Sequence, residues 1–139
     1  MISAPPERVW SWLVAWERAH EWMPRVERLS AIHPDRPLGT GSLLRAQVAG
    51  AEVGAAVVRF DPPNALAIRW QHGTSAIVHI YLLDGAGRNT RLTLELARIA
   101  GVGGGGLRTP LARLLRDPRA VKRQLSGLKR LVEQPRSGE

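Results

Sequence analysis

Cysteine is absent from this chain of 139 residues, which excludes a disulfide framework, a thiolate zinc site and a cysteine nucleophile. Apolar runs are short, and none approaches the roughly 20 residues that a membrane-spanning helix needs. The N-terminal residues "MISAPPERVW" lack the basic and apolar segments of a signal peptide. We therefore expect one domain over residues 1–139, located in the cytoplasm and without a membrane span.

Acidic residues are fewer than basic ones, with 12 Asp and Glu against 20 Lys and Arg, a formal net charge of +8. Such a charge raises nucleic acid and anionic membrane as partners. Arg, Ala, Gly and Pro are abundant together, however, as a GC-rich coding sequence produces, and the arginines form no run. We favour the compositional explanation, and nucleic acid stays a secondary partner hypothesis.

Aromatic residues other than tryptophan are limited to one Tyr and one Phe, but residues 9–24, "VWSWLVAWERAHEWMP", hold four of the five tryptophans. These four side chains fit a core, a membrane anchor, a base-stacking platform or a pocket wall. An interfacial membrane anchor needs a broad basic face, and a base-stacking platform needs an exposed sheet or groove. The helical spacing of this stretch leaves only a narrow polar stripe, which disfavours both. We expect Trp12 and Trp16 to be core residues that also form part of a pocket wall.

The order of periodicities indicates two short helices, then a sheet, then a long helix. Pro6 suits the first position of a helix from Pro6 to Ala15, and a second helix covers Glu17–Trp22. The turns between the strands are too short for parallel crossovers, so the sheet is predicted to be antiparallel. Pro118 predicts a kink or break in the final helix, which continues to about Glu133. The six predicted strands are Val26–Ile32, Ser42–Ala49, Glu52–Asp61, Ala65–Gln71, Ser75–Leu83 and Thr90–Ile99.

The strands alternate between apolar and polar residues, which is typical of a sheet covered on one side, here by the final helix. In the fifth strand, Val78, Ile80 and Leu82 are predicted to face this cover, while His79 and Tyr81 face solvent. The opposite assignment would make His79 and Tyr81 a polar pair in a cavity. The apolar set predicted to face inward elsewhere is Leu44, Ala46, Val48, Val58, Phe60, Leu66, Ile68, Trp70, Leu92, Leu94 and Leu96.

Motifs that would carry catalysis are weak or missing. "GVGGGG", residues 101–106, matches a dinucleotide-binding pattern by its letters, but no parallel strand follows it, so we interpret it as a joint. The histidines have no metal-ligand spacing, and no G-x-S-x-G follows a strand. Glu52 is in phase with the apolar set and is predicted near a pocket rim, while Arg69 and Glu95 are predicted to pair across the outer face. We expect no metal and no cofactor.

Five segments resemble the START/Bet v 1-like superfamily, also called SRPBCC, in its polyketide cyclase/dehydrase-like branch. They are "ISAPPERVWSWL", "WERAHEWMPRVERL", "FDPPNALAIRW", "DGAGRNTRLTLEL" and "LSGLKRLVE". The resemblance implies an α+β helix-grip fold, in which a curved antiparallel sheet wraps around a long C-terminal helix. It also implies a cavity between sheet and helix for a small hydrophobic molecule of lipid, polyketide or isoprenoid type.

We predict binding rather than catalysis, because the inward set contains no convincing acid–base pair. Whether a reaction is also catalysed stays open, because the superfamily hosts enzymes, lipid carriers and chaperone-like binders. The predicted cavity lining is Trp12, Phe60, Ile68, Trp70, Val78, Leu94, Leu111 and Leu115.

One alternative to small-molecule binding is a macromolecular partner. The resemblance also admits an interaction protein of the quinone-chaperone or ribosome-associated type, with a basic face on the final helix. That face consists of Arg116, Arg119, Lys122, Arg123, Lys129 and Arg130.

The first strand of the fold is short here, limited to Ile2 and Ser3, which leaves the edge of Thr90–Ile99 unpaired. Open edges accept other strands. We predict a symmetric dimer at this edge, against the alternative of a monomer whose N-terminal residues curl over it.

Overall fold

The computed structural model describes residues 1–23, 25–72, 75–99 and 118–134. Two short helices come first, six strands follow, and a longer helix closes the described part. The helices are α1 (Pro6–Leu13), a 3-10 helix (Trp16–Glu21) and α2 (Pro118–Glu133). The strands are β1 (Val26–Ala31), β2 (Leu43–Val48), β3 (Ala51–Asp61), β4 (Ala65–His72), β5 (Ser75–Ala86) and β6 (Asn89–Ile99).

Helix α1 begins at Pro6 as predicted but ends at Leu13 rather than Ala15, and the 3-10 helix begins at Trp16, one residue before the predicted start. The apolar positions of both helices enter the core. Pro6 stands at the start of α1, where its missing N–H costs nothing, and Glu7 lies in the first turn at the positive end of the helix dipole. Val9 and Leu13 of α1 are buried, as are Trp16 and Ala19 of the 3-10 helix. These helices therefore contribute a continuous part of the hydrophobic core.

The six strands form one sheet in the order β1-β2-β3-β4-β5-β6, and every neighbouring pair is antiparallel. Helix α2 packs on the inner face of this curved sheet, where the Tyr81 hydroxyl donates a hydrogen bond of 2.7 Å to Oε1 of Gln124. The predicted α+β helix-grip architecture is therefore confirmed.

The inward face was predicted correctly for β2 and β4 but wrongly for β5. Tyr81 is fully buried and His79 is 3% exposed, whereas Val78 and Ile80 are only half-buried. The register explains the inversion, because β4 and β5 pair Ile68 with His79, and residues directly opposite share a face. His79 and Tyr81 therefore point toward α2, and Val78 points away from it.

Strand β3 changes its face partway along. The register with β4 shifts between Val57 and Arg59, so two residues of β3 oppose one of β4. Such a bulge reverses the alternation. Val57 is buried before the bulge, Val58 is 41% exposed, and Phe60 after it packs against the core. The predicted inward position of Val58 is therefore wrong, while that of Phe60 agrees with the structure.

The N-terminal residues pair with only the start of β6. Ile2 and Thr90 exchange two backbone hydrogen bonds, of 2.7 and 2.9 Å, and the Thr90 hydroxyl donates to the carbonyl of Ala4. The N–H of Ser3 donates to Oε1 of Glu133, which lowers the pKa of that carboxyl and connects the N-terminal residues to the end of α2. Within the described ranges, no further strand pairs with the outer edge of β6.

The structure describes the final helix from Pro118 onward. The residues predicted to be helical before Pro118, and with them the predicted kink, lie outside the described residues. Leu128 and Val132 of α2 are fully buried and anchor the helix in the core. In the four described ranges, no helix has the length and apolar character that crossing a membrane requires.

Candidate ligand-binding site

The inner face of β6 is only partly covered by α2. Leu92, Leu94 and Leu96 point to the same face as Tyr81 and His79, because β5 and β6 pair Tyr81 with Leu94 and His79 with Leu96. All three leucines are half-buried, unlike the fully buried inner residues of β4. These inner-face leucines therefore leave apolar surface in contact with solvent at this edge of the sheet.

Helix α2 supplies the facing wall of that space. Gln124 is buried against Tyr81, while Val121 and Leu125, which flank it on the helix, are half-buried. Since positions three and four apart share a helix face, Val121 and Leu125 lie on the side of α2 that carries Gln124 and Leu128 toward the sheet. We call the region between Leu92, Leu94, Leu96 and these α2 residues the β6–α2 seam.

The bottom of the β6–α2 seam is polar. The Tyr81 hydroxyl bonds to Gln124, and the Trp22 ring meets the Tyr81 ring edge-on with centroids 6.1 Å apart. Complete burial raises the pKa of Tyr81, because the phenolate loses its hydration. Tyr81 therefore stays a neutral hydrogen-bond donor, and the side-chain amide of Gln124 keeps N–H groups for a second partner.

A second polar side chain, His79, lies two residues before Tyr81 on the same face. Its ring contacts the Trp70 ring, with centroids 5.9 Å apart and planes inclined by 55°. An imidazole and an amide beside apolar walls are typical of small-molecule sites, in which a few polar groups fix the orientation of a mainly apolar ligand. The sequence pattern was interpreted as placing His79 and Tyr81 toward solvent. A sign of the opposite orientation was that Ile77 and Leu83, which share their face, are as apolar as Val78, Ile80 and Leu82.

The predicted lining residues are only partly brought together. Ile68 and Trp70 of β4 and Leu94 of β6 lie on the inner face of the sheet, and Phe60 joins them after the β3 bulge. Trp12 is half-buried at the core boundary with the Arg18 guanidinium 4.1 Å from its ring centre.

One described member of the predicted lining, Val78, does not join this group. Val78 lies on the outer face, because β4 pairs it with Arg69 rather than with an inward residue. Leu111 and Leu115 lie outside the described residues.

Two further predictions concern charged residues. Glu52 is out of phase with the buried residues of β3, because it is exposed on the outer face and pairs with Arg45 at 3.2 Å. It lines a small open pocket on that outer face rather than on the inner face. Arg69 and Glu95, both described, form no ion pair, and the Nε of Arg69 is buried without a hydrogen-bond partner.

Among the described residues, no three His, Asp or Glu side chains cluster as metal ligands would. The glycine-rich residues 101–106 lie outside the described ranges.

A curved antiparallel sheet that packs around a C-terminal helix, with an apolar inner face and few polar groups, defines the helix-grip class. The family model described as "Polyketide cyclase / dehydrase and lipid transport" matches residues 1–133, and the chain belongs to this family. No curated protein is significantly similar in sequence.

Solved structures share the fold. Protein MLL2253 from Mesorhizobium loti has a TM-score of 0.70 at 17% identity, over 95% of this chain and 91% of that one. TTHA0849 from Thermus thermophilus has a TM-score of 0.65 at 25% identity, over 94% and 91%. The di-domain ARO/CYC StfQ from the steffimycin biosynthetic pathway has a TM-score of 0.68 at 13% identity, over 95% of this chain and 48% of StfQ.

Proposed function

We propose that the chain binds a small hydrophobic molecule of lipid, polyketide or isoprenoid type in the β6–α2 seam. The observation that carries the proposal is the half-burial of Leu92, Leu94 and Leu96 on an otherwise buried inner face. The family description and the biosynthetic pathway named for StfQ support this ligand class. We take the binding unit to be one domain over residues 1–139 that works in the cytoplasm.

The physical reason is the cost of leaving apolar surface in water. Burying such surface stabilises by roughly 25 cal/mol per Å², or about 1.5–3 kcal/mol for a whole leucine side chain. A ligand that covers the three leucines gains part of this free energy at each of them. The amide of Gln124 then selects a ligand with a polar group at one end, and we assign no reaction to the site.

Replacing Leu94 with Gln is expected to weaken binding of a fluorescent apolar dye about 10- to 100-fold, because one leucine contact is lost and each 1.4 kcal/mol is tenfold. Thr93→Gln is the matched control, since Thr93 is the neighbouring residue, exposed on the outer face. Native mass spectrometry of freshly purified protein is expected to show a bound small molecule that Leu94→Gln loses. No adduct together with equal dye affinity of both variants contradicts the proposal.

A second candidate function follows from the outer side of α2, where an open groove of about 720 Å³ is lined by Arg119, Lys122, Arg123, Ser126, Gly127 and Arg130. This groove fits a polyanionic partner such as RNA. Lys129 is not part of it and pairs with Glu133 at 3.7 Å, while Arg116 lies outside the described residues. Retention on RNA that falls steeply with salt, together with no bound small molecule, favours this function over the first.

We also propose that the chain forms a symmetric dimer at the β6 edge. Thr90 points its backbone N–H and C=O away from β5, toward Ile2. Backbone groups alternate along an antiparallel strand, and the β5–β6 register is continuous, so those of Leu92, Leu94 and Leu96 point outward too. These groups are available to a second copy of the strand.

Light scattering is expected to give a dimer mass for the wild type and a monomer mass for Leu96→Pro, because proline removes an outward-pointing donor. Thr93→Pro separates edge pairing from sheet damage, since the N–H of Thr93 points toward β5. This second variant is expected to lose stability instead. A monomer mass for the wild type contradicts the dimer.

A further inference from the structure

A separate cleft of about 660 Å³ lies between the 3-10 helix and the loop that joins β1 to β2, residues 32–42. Its floor is apolar: Trp16 and Leu29 are buried core residues, and Val14 and Leu38 pack against that core while keeping part of their surface exposed. The volume falls within the roughly 300–1,000 Å³ of small-molecule sites.

The loop that forms one wall has its own hydrogen bonds. The N–H of Gly39 donates to the Ser42 hydroxyl at 2.9 Å, the N–H of Gly41 to the carbonyl of Val57 at 2.7 Å, and the N–H of Arg36 to the carbonyl of His33 at 3.1 Å. Gly41 has a φ of 94°, which favours glycine. The Gly41 bond ties the end of the loop to β3, and the other two stabilise turns within it, so the loop wall has a defined conformation.

The polar rim is mostly basic. His33 and Arg36 stand on the loop wall and Glu17 on the wall of the 3-10 helix, and all three side chains are exposed. In the part of the chain that the structure describes, neither His33 nor Arg36 forms an ion pair. An arginine fork without a protein partner matches the two oxygens of a carboxylate.

The cleft is distinct from the β6–α2 seam. It lies against β1, and the seam lies against β6, at the opposite edge of the six-stranded sheet. Five spacings of about 4.8 Å place the two edges roughly 24 Å apart along the sheet.

We propose that this cleft is a second binding site, which takes a small amphipathic carboxylate with its apolar body over Trp16 and Leu38 and its carboxylate at Arg36. The apolar floor provides the affinity for the body. Arg36 on the loop wall selects an anionic head, while Glu17 opposes a second negative charge on the other wall. This site is independent of the proposed function of the seam.

Isothermal titration with decanoate and decanol tests the site, because the two molecules share an apolar body and differ in charge. Arg36→Gln is expected to weaken decanoate about 2- to 5-fold, the loss of an ion pair at an exposed site, and to leave decanol unchanged. Leu38→Gln is expected to weaken both ligands. Arg28→Gln, an exposed arginine on β1 that does not line the cleft, is the matched control and should change neither.

The seam variant Leu94→Gln separates the two sites. Decanoate binding that keeps its dependence on Arg36 in this background supports the second site, whatever the variant does to dye binding. Equal effects of Arg36→Gln and Arg28→Gln, no decanoate binding at all, or decanoate binding that Leu94→Gln abolishes would each overturn the proposal. Circular dichroism of every variant checks that the sheet is intact.

Discussion

Alanine in place of Trp22 is expected to lower the free energy of unfolding by about 3–5 kcal/mol, the range for removing a large buried aromatic side chain. Trp22 is 3% exposed and joins three parts of the fold. It follows the 3-10 helix directly, its ring meets the edge of Tyr81, and its backbone lies 3.4 Å from where a Cβ on Gly127 of α2 would stand. The cavity left by the ring would open between sheet and helix, where neither can collapse onto it without breaking the Tyr81–Gln124 bond.

Urea denaturation measures this effect, and two variants control it. Trp22→Phe keeps an aromatic edge toward Tyr81 and removes an indole N–H that is buried without a partner, so it is expected to cost less than alanine. Trp12→Ala removes a half-buried ring that carries Arg18 on its face, a cation–π contact of about 0.5–1 kcal/mol at an exposed site. Equal losses for Trp12→Ala and Trp22→Ala would mean that Trp22 does not connect sheet and helix.

The strands with one clearly apolar face were readable from the sequence. Leu66, Ile68 and Trp70 of β4 alternate with residues of smaller apolar or polar character, and the structure buries all three. In β5 both alternating sets contain large apolar residues, so local pattern does not choose between them. The register of β5 against β4 determines which set faces inward, and this register depends on contacts between strands that a local stretch of sequence does not contain.

The candidate site was likewise predictable from the sequence only in part. Phe60 was assigned correctly to the inner face, although Val58 was assigned with it, because a bulge changes the phase without an obvious sequence signal. The Tyr81–Gln124 bond was missed, yet Gln124 lies three residues after Val121 and four before Leu128, which is the spacing of the buried face of α2. A polar residue in phase with an apolar helix face is a signal that sequence reasoning can use.

In an alkaline titration, the single tyrosine is expected to ionise only as the protein unfolds. Burial raises the pKa of Tyr81 well above the value of about 10 that holds in the unfolded chain. Below pH 10 the hydroxyl is protonated in both states, so its contribution to stability is complete. Above that pH only the unfolded chain releases the proton, and the free energy of unfolding falls by about 1.4 kcal/mol for each pH unit.

Because Tyr81 is the only tyrosine, the near-ultraviolet absorption of tyrosinate reports this one group. We expect the absorption to appear together with the loss of the far-ultraviolet circular dichroism signal, in one transition above pH 10. Tyr81→Phe is the matched control: it starts from a stability lower by about 1–3 kcal/mol, since Gln124 loses its buried donor, and it lacks the slope that Tyr81 causes. Tyrosinate that forms smoothly near pH 10 while the circular dichroism signal is unchanged would place the hydroxyl in contact with solvent and remove the polar bottom of the β6–α2 seam from the binding proposal.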